Sequence, residues 1–143
     1  MTGSHKVFVD TAPFIYLIED HPVFAKPLTT YFADQLSLFE SQFFSSSITI
    51  AELFVKPKQQ DKLELIDQFM SKLREYDVLV ADITFAIADY SADLRKKYAG
   101  LKALDALQLA TAIRFGCTQF LTNDHRLKSV KEIDVITLND LTD

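Results

Sequence analysis

The sequence has little of several residue types on which common protein chemistry depends. Its 143 residues include one cysteine and three histidines. The single thiol, Cys117, excludes a disulfide within the chain, and we expect it to lie in the core. His5, His21 and His125 stand apart and lack the spacing of zinc ligands. The chain also has no glycine-rich phosphate loop, no serine nucleophile elbow and no cysteine–histidine arrangement, so its chemistry must rest on other side chains.

Positive charge and long apolar runs are also scarce. The net charge is −5, which excludes an overall basic surface for tight nucleic-acid binding. Only residues 7–9 are apolar near the start, so we predict no signal peptide, and no apolar run is long enough to cross a bilayer. We therefore expect a cytoplasmic protein without membrane association. The length and the 48% of hydrophobic residues predict a single domain over residues 1–143, with residues 1–5 frayed.

Apolar segments with strand and helix periodicity alternate along the chain. Predicted strands cover residues 7–9, 43–48, 78–83, 119–122 and 135–138. Predicted helices cover residues 13–19, 27–41, 49–55, 62–76, 85–98 and 104–115, and the third of these is expected to stop before Pro57. Such alternation is typical of right-handed crossovers. The pattern therefore predicts an α/β fold with a central, mostly parallel five-stranded sheet and helices on both of its faces.

Four acidic residues occupy equivalent places in this plan. Asp10 ends the first strand, whose continuous apolar sequence is typical of the centre of a parallel sheet. Glu52 lies in the opening turn of the helix after the second strand. Asp105 lies in the opening turn of the helix before the fourth strand, and Asp124 follows that strand. All four should meet at the carboxyl edge of the sheet, where open α/β folds bind their ligands.

Each acid also has a local structural explanation. Asp10 and Asp124 could cap the helical segments after them. Thr49 and Glu52 form a capping-box pattern, and Asp105 suits the positive end of a helix dipole. Capping does not explain why four acids converge on one edge, and like charges at close range repel, so a bound cation accounts best for the cluster. Oxygen ligands favour Mg²⁺ or Mn²⁺ over zinc, and such an ion can activate water and offset charge on a phosphate.

Most of the basic residues lie beside these acids. Ten of the fifteen lysines and arginines fall in three stretches, each next to one of the acidic motifs. They are Lys56, Lys58 and Lys62; Arg95, Lys96, Lys97 and Lys102; and Arg126, Lys128 and Lys131. Two interpretations remain open. The stretches are either solvated helix faces, with Asp93 and Lys97 as an i,i+4 pair, or a cationic rim that holds a polyphosphate backbone around the acidic centre.

Taken in order, the four acidic motifs resemble those of the PIN domain family, and specifically the toxin nuclease of the VapBC toxin–antitoxin type. The matching segments are VFVDT at residues 7–11, SITIAEL at 47–53, LDALQLATA at 104–112 and LTND at 121–124. Any one motif is a weak signal, whereas the four together are fairly specific. The resemblance covers nearly the whole chain.

The resemblance implies a three-layer α/β/α sandwich that hydrolyses RNA with Mg²⁺ or Mn²⁺. By position in the motifs, the metal-binding and catalytic roles fall on Asp10, Glu52, Asp105 and Asp124. Thr11 matches a position where a hydroxyl often supports the site. Three neighbours of the motifs are further candidates for support of the site or contact with substrate: Asn123, Lys102 and Arg126. The family also implies a homodimer and a small antitoxin protein whose tail enters the acidic groove.

Other functions fit parts of the sequence. A haloacid-dehalogenase-type phosphatase also begins with an apolar strand and an Asp nucleophile, but it needs a second Asp two residues later, where this chain has Ala12. A phosphoacceptor receiver domain needs an acidic pair at the end of the first strand, where Phe8 and Val9 precede Asp10. A PIN domain outside toxin pairs, as a nuclease or as an RNA-binding module, is the remaining alternative.

Overall fold

A five-stranded sheet forms the middle of the structure, a computed structural model that describes residues 5–142. The strands of that part are β1 (Lys6–Val9), β2 (Gln42–Ser46), β3 (Leu79–Ala81), β4 (Gln119–Thr122) and β5 (Asp134–Thr137). Their order across the sheet is β3-β2-β1-β4-β5, and each neighbouring pair is parallel. The predicted parallel sheet is therefore confirmed, with β1 at its centre.

The apolar residues of β1 explain its central position. Val7, Phe8 and Val9 have no exposed surface. Successive side chains of a strand point to opposite faces, and Phe8 packs in one core cluster while Val7 and Val9 pack in the other. The Phe8 ring stacks on Phe120 of β4 with 5.1 Å between ring centroids. A strand that is buried on both faces requires a helical layer on each side.

Within residues 5–142, six α-helices supply these two layers. The helices α1 (Thr11–Ile18), α2 (Ala25–Ser37), α3 (Ser47–Gln59) and α4 (Leu63–Glu75) contribute to the cluster around Val7 and Val9. The helices α5 (Phe85–Lys97) and α6 (Ala103–Arg114) contribute to the cluster around Phe8, which also contains Cys117. Two short 3₁₀ segments, His125–Ser129 and Leu138–Leu141, were not predicted. The three-layer α/β/α sandwich is confirmed.

Helix α3 differs most from its prediction. It begins at Ser47 because the Ser46 hydroxyl accepts a hydrogen bond of 3.1 Å from the Ile48 backbone N–H and caps the helix. The predicted start at Thr49 was wrong, and so was the extension of the second strand to residue 48. The helix also continues past Pro57 to Gln59. Pro57 lacks an N–H for the helical bond, but its ring is buried, and this burial offsets the loss.

The remaining differences lie at the ends of elements. Strand β3 is shorter than predicted, and α2 starts at Ala25 and stops at Ser37. Gly116 follows the C-cap residue of α6 with a φ of 76°, in the left-handed region that a glycine enters without strain, and this conformation ends the helix. Of the segment predicted to be frayed, residues 1–4 lie outside the described part, and the His5 carbonyl accepts a hydrogen bond of 3.0 Å from Gln42. None of the helices in residues 5–142 is long and apolar enough to cross a membrane.

Candidate active site

Asp10 lies at the carboxyl end of the central strand and is held from both sides. Its Oδ1 accepts a hydrogen bond of 2.8 Å from the Thr11 backbone N–H, and this contact caps α1. Its Oδ2 accepts a hydrogen bond of 2.8 Å from the Thr122 hydroxyl on β4. The Asp10 backbone N–H donates to the Leu121 carbonyl at 2.9 Å. The capping explanation therefore applies to Asp10, and the same contacts also fix the direction of a half-buried carboxylate at the sheet edge.

Glu52 reaches the same edge through the residue next to Asp10. The Thr11 hydroxyl donates a hydrogen bond of 2.6 Å to Glu52 Oε1. Because α3 begins at Ser47, Glu52 lies in its second turn, and the proposed capping box of Thr49 and Glu52 was wrong. Glu52 thus has no capping role in α3. Thr11, a candidate for support of the site, contacts one of the four acids directly.

Asp124 follows β4 and forms an ion pair with Arg126. The Arg126 guanidinium donates from Nε to Oδ1 at 3.0 Å and from Nη2 to Oδ2 at 2.7 Å, a two-bond geometry that is among the stronger types of ion pair. The Arg126 backbone N–H also donates to Oδ1 at 3.0 Å, so Asp124 caps the 3₁₀ segment His125–Ser129. Asp105 lies in the first turn of α6, as predicted.

The charges of neighbouring acids act on Asp10 and Asp105. Burial raises the pKa of Asp10, and the negative charges of Asp105 and Glu52 raise it further, against its hydrogen bonds. Burial and the charge of Asp124 raise the pKa of Asp105, while Arg126 opposes this effect. Hydrogen bonding by Arg126 holds the pKa of Asp124 below its ordinary value. The predicted convergence of acids at the carboxyl edge is therefore present in the fold.

The ligand atoms that the four acids offer suit a divalent cation in their chemistry. They are carboxylate oxygens alone, and repulsion between the acids is the kind of interaction that a cation relieves, so the chemistry suits Mg²⁺ or Mn²⁺. In the side-chain positions described for residues 5–142, no three His, Cys, Asp or Glu residues are grouped closely enough to hold a metal. Arg126 occupies both oxygens of Asp124 and Thr11 occupies one of Glu52. The residues fit such an ion by type, and a shared ion would require their side chains to take other orientations.

A groove of about 200 Å³ opens beside these acids. Asp105, Asp124, Arg126 and the exposed Lys102 line it, together with the loop that joins α5 to α6. Two cations therefore lie next to two anions in one concave surface. Asn123 is directed elsewhere, because its Nδ2 donates to the Tyr16 hydroxyl at 3.1 Å.

The basic stretch at the end of α5 is partly engaged with its own chain. Lys97 pairs with Glu132 at 2.9 Å, so the pairing with Asp93 that one of the two interpretations included was wrong. Arg95 Nε donates to the Leu101 carbonyl at 3.0 Å. Of the residues in this stretch, Lys102 is the one that lines the groove, and it is therefore the best single probe of the cationic rim.

The PIN domain is the protein family whose model matches this chain, over residues 7–133. The chain belongs to the PIN domain family. The matched segment begins in β1 and includes all four acids, so the resemblance of the motifs is confirmed at the level of the family. The phosphatase and receiver-domain alternatives have no comparable support.

Three solved structures are similar in fold to this PIN domain. A chain of VapBC2 from Rickettsia felis, bound to a DNA fragment from their promoter, has a TM-score of 0.73 at 18% identity and covers 92% of this chain and 98% of that one. A chain of a toxin–antitoxin complex from Klebsiella pneumoniae has a TM-score of 0.68 at 22% identity, with 92% and 97% covered. A chain of DNA-bound VapBC from Salmonella typhimurium has a TM-score of 0.71 at 20% identity, with 94% and 98% covered. No curated protein is significantly similar in sequence.

Two residues of this PIN domain contact the acids and were missed in the sequence. Thr122 bridges Asp10 and Asp124, since its hydroxyl also accepts a hydrogen bond of 3.2 Å from the Asp124 backbone N–H. Gln108 lies in the interior below Asp10. A signal was present for each: Thr122 is the last residue of its strand, and Gln108 is a polar residue within an apolar helical segment, one turn after Asp105.

The raised pKa of Asp10 predicts how the stability of this PIN domain responds to pH without metal. A carboxyl whose folded pKa exceeds its ordinary value of 3.8 destabilises the fold when it is ionised, and the penalty disappears as pH falls through the folded pKa. In EDTA, Asp10→Asn should therefore exceed wild type in free energy of unfolding at pH 7, and this excess should shrink towards pH 4. Chemical denaturation at several pH values measures it.

The control is a substitution at a carboxylate that stabilises the fold when it is ionised. Lys128 holds the pKa of Asp140 below its ordinary value, so ionised Asp140 stabilises the fold until pH falls through that lowered pKa. Asp140→Asn should be less stable than wild type at pH 7, and this deficit should close as the solution becomes acidic. An Asp10→Asn profile parallel to that of wild type at every pH would contradict the prediction.

Proposed function

We propose that this PIN domain is a metal-dependent endoribonuclease and the toxin of a toxin–antitoxin pair. One observation carries the proposal: in a chain of this family, the carboxylates of Asp10, Glu52, Asp105 and Asp124 share the carboxyl edge of the sheet, close enough for neighbouring acids to raise the pKa of Asp10 and the pKa of Asp105. The ion would be Mg²⁺ or Mn²⁺, the substrate RNA, and the place of action the cytoplasm.

The acidic residues of the site would bind the metal ion, and the basic residues would bind the substrate. A bound Mg²⁺ or Mn²⁺ would lower the pKa of a water and offset the charge that develops on the phosphate. Asp10 offers ligand oxygens in a direction set by Thr11 and Thr122, and Thr11 also orients Glu52. Asp124 can join them once Arg126 releases it. The released guanidinium remains in the groove with Lys102, where both can bind phosphate oxygens.

The decisive experiment is cleavage of a mixed RNA pool by the purified protein. We expect cleavage with Mg²⁺ or Mn²⁺, none in EDTA, and recovery when the metal is returned in excess. Asp10→Asn prepared in parallel controls for contaminating nucleases. Cleavage that persists in EDTA, or no cleavage under any of these conditions, would contradict the proposed activity.

The partner part of the proposal draws on the similar folds. The three structures are described as VapBC or toxin–antitoxin complexes, which supports a small antitoxin protein as partner, and we also propose a homodimer. Light scattering of the purified protein measures the oligomeric state.

Expression of the wild type in bacteria should arrest growth, whereas expression of Asp10→Asn should not. Normal growth under strong expression of the wild type would argue for a PIN nuclease outside toxin pairs.

Substrate binding should depend on Lys102 and on salt. The logarithm of the RNA binding constant falls linearly with the logarithm of the salt concentration. Each phosphate contact that is removed should make this slope shallower by about 0.7 for single-stranded RNA. Lys102→Ala, made in an Asp10→Asn background that keeps RNA intact, should weaken binding and show this change in fluorescence polarisation. Lys72→Ala is the matched control. Lys72 pairs with Glu75 in the last turn of α4, which ends at the sheet edge opposite the acids. Equal slopes for both variants would make Lys102 a solvated surface lysine.

A further inference from the structure

A buried amide joins three elements directly beneath the carboxylates. Gln108 in α6 is 2% exposed. Its Nε2 donates a hydrogen bond of 2.8 Å to the Thr49 hydroxyl of α3 and makes a longer contact of 3.4 Å with Asp10 Oδ1. Its Oε1 accepts a hydrogen bond from the hydroxyl of Ser46, the residue that caps α3. This side chain of α6 thus contacts the end of β1 and the start of α3.

A glutamine at this position makes hydrogen bonds that allow only one orientation of its side chain, which an apolar residue cannot do. Its neighbours Leu109 and Ala110 are fully buried, and an amide among them is costly unless both of its ends are hydrogen-bonded. Both ends have partners. The carboxylate of Asp10 can only accept, so the amide must present its NH₂ group to Asp10 and its oxygen to Ser46. The network therefore has one consistent orientation.

The spacing of the residues connects this network to the acids. Gln108 lies three residues after Asp105 in α6, and Thr49 lies three residues before Glu52 in α3. Residues three apart in a helix share a face. The bond between Gln108 and Thr49 therefore joins the two helices within one turn of each helical acid. The contact with Asp10 ties the same amide to the third acid, on β1.

We propose that Gln108 is a positioning residue that sets the separation of Asp10, Glu52 and Asp105. It acts through these carboxylates and does not itself touch metal or RNA. The inference rests on the proposed function, because the separation matters only if the acids share an ion. Residues that orient metal ligands typically change metal affinity or activity by about 10–100-fold when they are replaced.

A second buried glutamine supplies a matched control. Gln35 is 7% exposed, and its Oε1 accepts a hydrogen bond of 2.6 Å from the Ser41 hydroxyl. Ser41 directly precedes β2, whereas Ser46 ends it, so the two glutamine–serine pairs flank one strand at opposite sheet edges. Gln108→Leu and Gln35→Leu each remove a buried amide from a helix and leave a serine hydroxyl without its partner. Gln108→Leu additionally removes the contacts with Thr49 and Asp10.

The experiment measures the Mn²⁺ dissociation constant by calorimetry, the melting temperature in EDTA, and kcat and KM for RNA cleavage. Gln108→Leu should weaken Mn²⁺ binding about 10–100-fold and lower kcat, with KM little changed. Gln35→Leu should lower the melting temperature while its Mn²⁺ affinity stays that of wild type. A purely structural role for Gln108 predicts equal Mn²⁺ affinity in the two variants.

A third variant covers the case in which Gln108→Leu does not fold. Thr49→Val preserves the shape of the side chain and breaks the same hydrogen bond by removing the hydroxyl that accepts from Gln108 Nε2. It should weaken Mn²⁺ binding in the same direction. Wild-type Mn²⁺ affinity in every variant that folds would overturn the positioning role alone. Absence of Mn²⁺ binding by the wild type would overturn the proposed metal dependence, and the positioning role with it.

Discussion

Asp10→Asn and Asp105→Asn are each expected to lower the rate of RNA cleavage at saturating Mn²⁺ by at least about a hundredfold. A hundredfold loss corresponds to about 2.7 kcal/mol of transition-state stabilisation, which is within the several kcal/mol that a metal ion supplies. Asn keeps the size of the side chain and its oxygen can still cap α1, so the substitution at Asp10 removes a charge from the site and leaves the helix start intact. Single-turnover cleavage of a labelled RNA measures the rate.

Asp77→Asn is the matched control for these two variants. Asp77 is exposed, lies just before β3 at the opposite edge of the sheet, and has a φ of 51°, a conformation that Asn also tolerates. This variant should cleave RNA at the wild-type rate. If Asp10→Asn and Asp105→Asn also cleave at that rate, the activity comes from a contaminant or from another part of the protein.

The second large effect is a reversal of relative stability when metal is added. Burial and the charges of Asp105 and Glu52 raise the pKa of Asp10, so the ionised side chain destabilises the metal-free fold. Asp10→Asn should therefore melt at or above the temperature of wild type in EDTA, as often happens when a functional residue is replaced. With Mn²⁺ at a hundredfold excess over its dissociation constant, wild type should gain about 2.7 kcal/mol, and Asp10→Asn should lose most of that gain.

Capping alone predicts a different pattern for Asp10→Asn. If the role of Asp10 were only to cap α1, the substitution would change stability by the same amount with and without metal. Asp140→Asn serves as the control, because the partners of Asp140 are Lys128 and the Thr137 backbone N–H and not any of the four acids. It should lose stability in EDTA and keep the full Mn²⁺ shift. Equal Mn²⁺ shifts for wild type and Asp10→Asn would remove Asp10 from the metal site.

The boundaries of α3 show where a local pattern stops being informative. Ser46 and Thr49 are both good capping residues three positions apart, and nothing in their immediate sequence selects between them. In the fold, Thr49 is fully buried and receives the Gln108 amide, so Ser46 takes the cap. Pro57 poses the same problem. Its ring interrupts the helical bonds in any context, and only the surrounding residues decide whether its burial outweighs that loss.

The meeting of the four acids at one edge was predictable for a general reason. Parallel strands all end on the same side of a sheet, so an acid after β1, an acid after β4 and acids near the starts of crossover helices share that side. The partners of these acids were not predictable. Thr11 contacts Glu52 across 41 residues of sequence, and Gln108 contacts Thr49 across 59.

The sequence by itself determined the order of the strands and α-helices along the chain, the central place of β1 and the carboxyl edge as the location of the acids. These features follow from periodicity and strand direction, which are properties of short segments. Only the tertiary structure decided that Asp124 pairs with Arg126, that Thr122 bridges two acids and that Gln108 lies beneath them. Such contacts depend on the distances and side-chain orientations that packing imposes on residues far apart in the chain, and hydrogen bonds respond to changes of a fraction of an ångström.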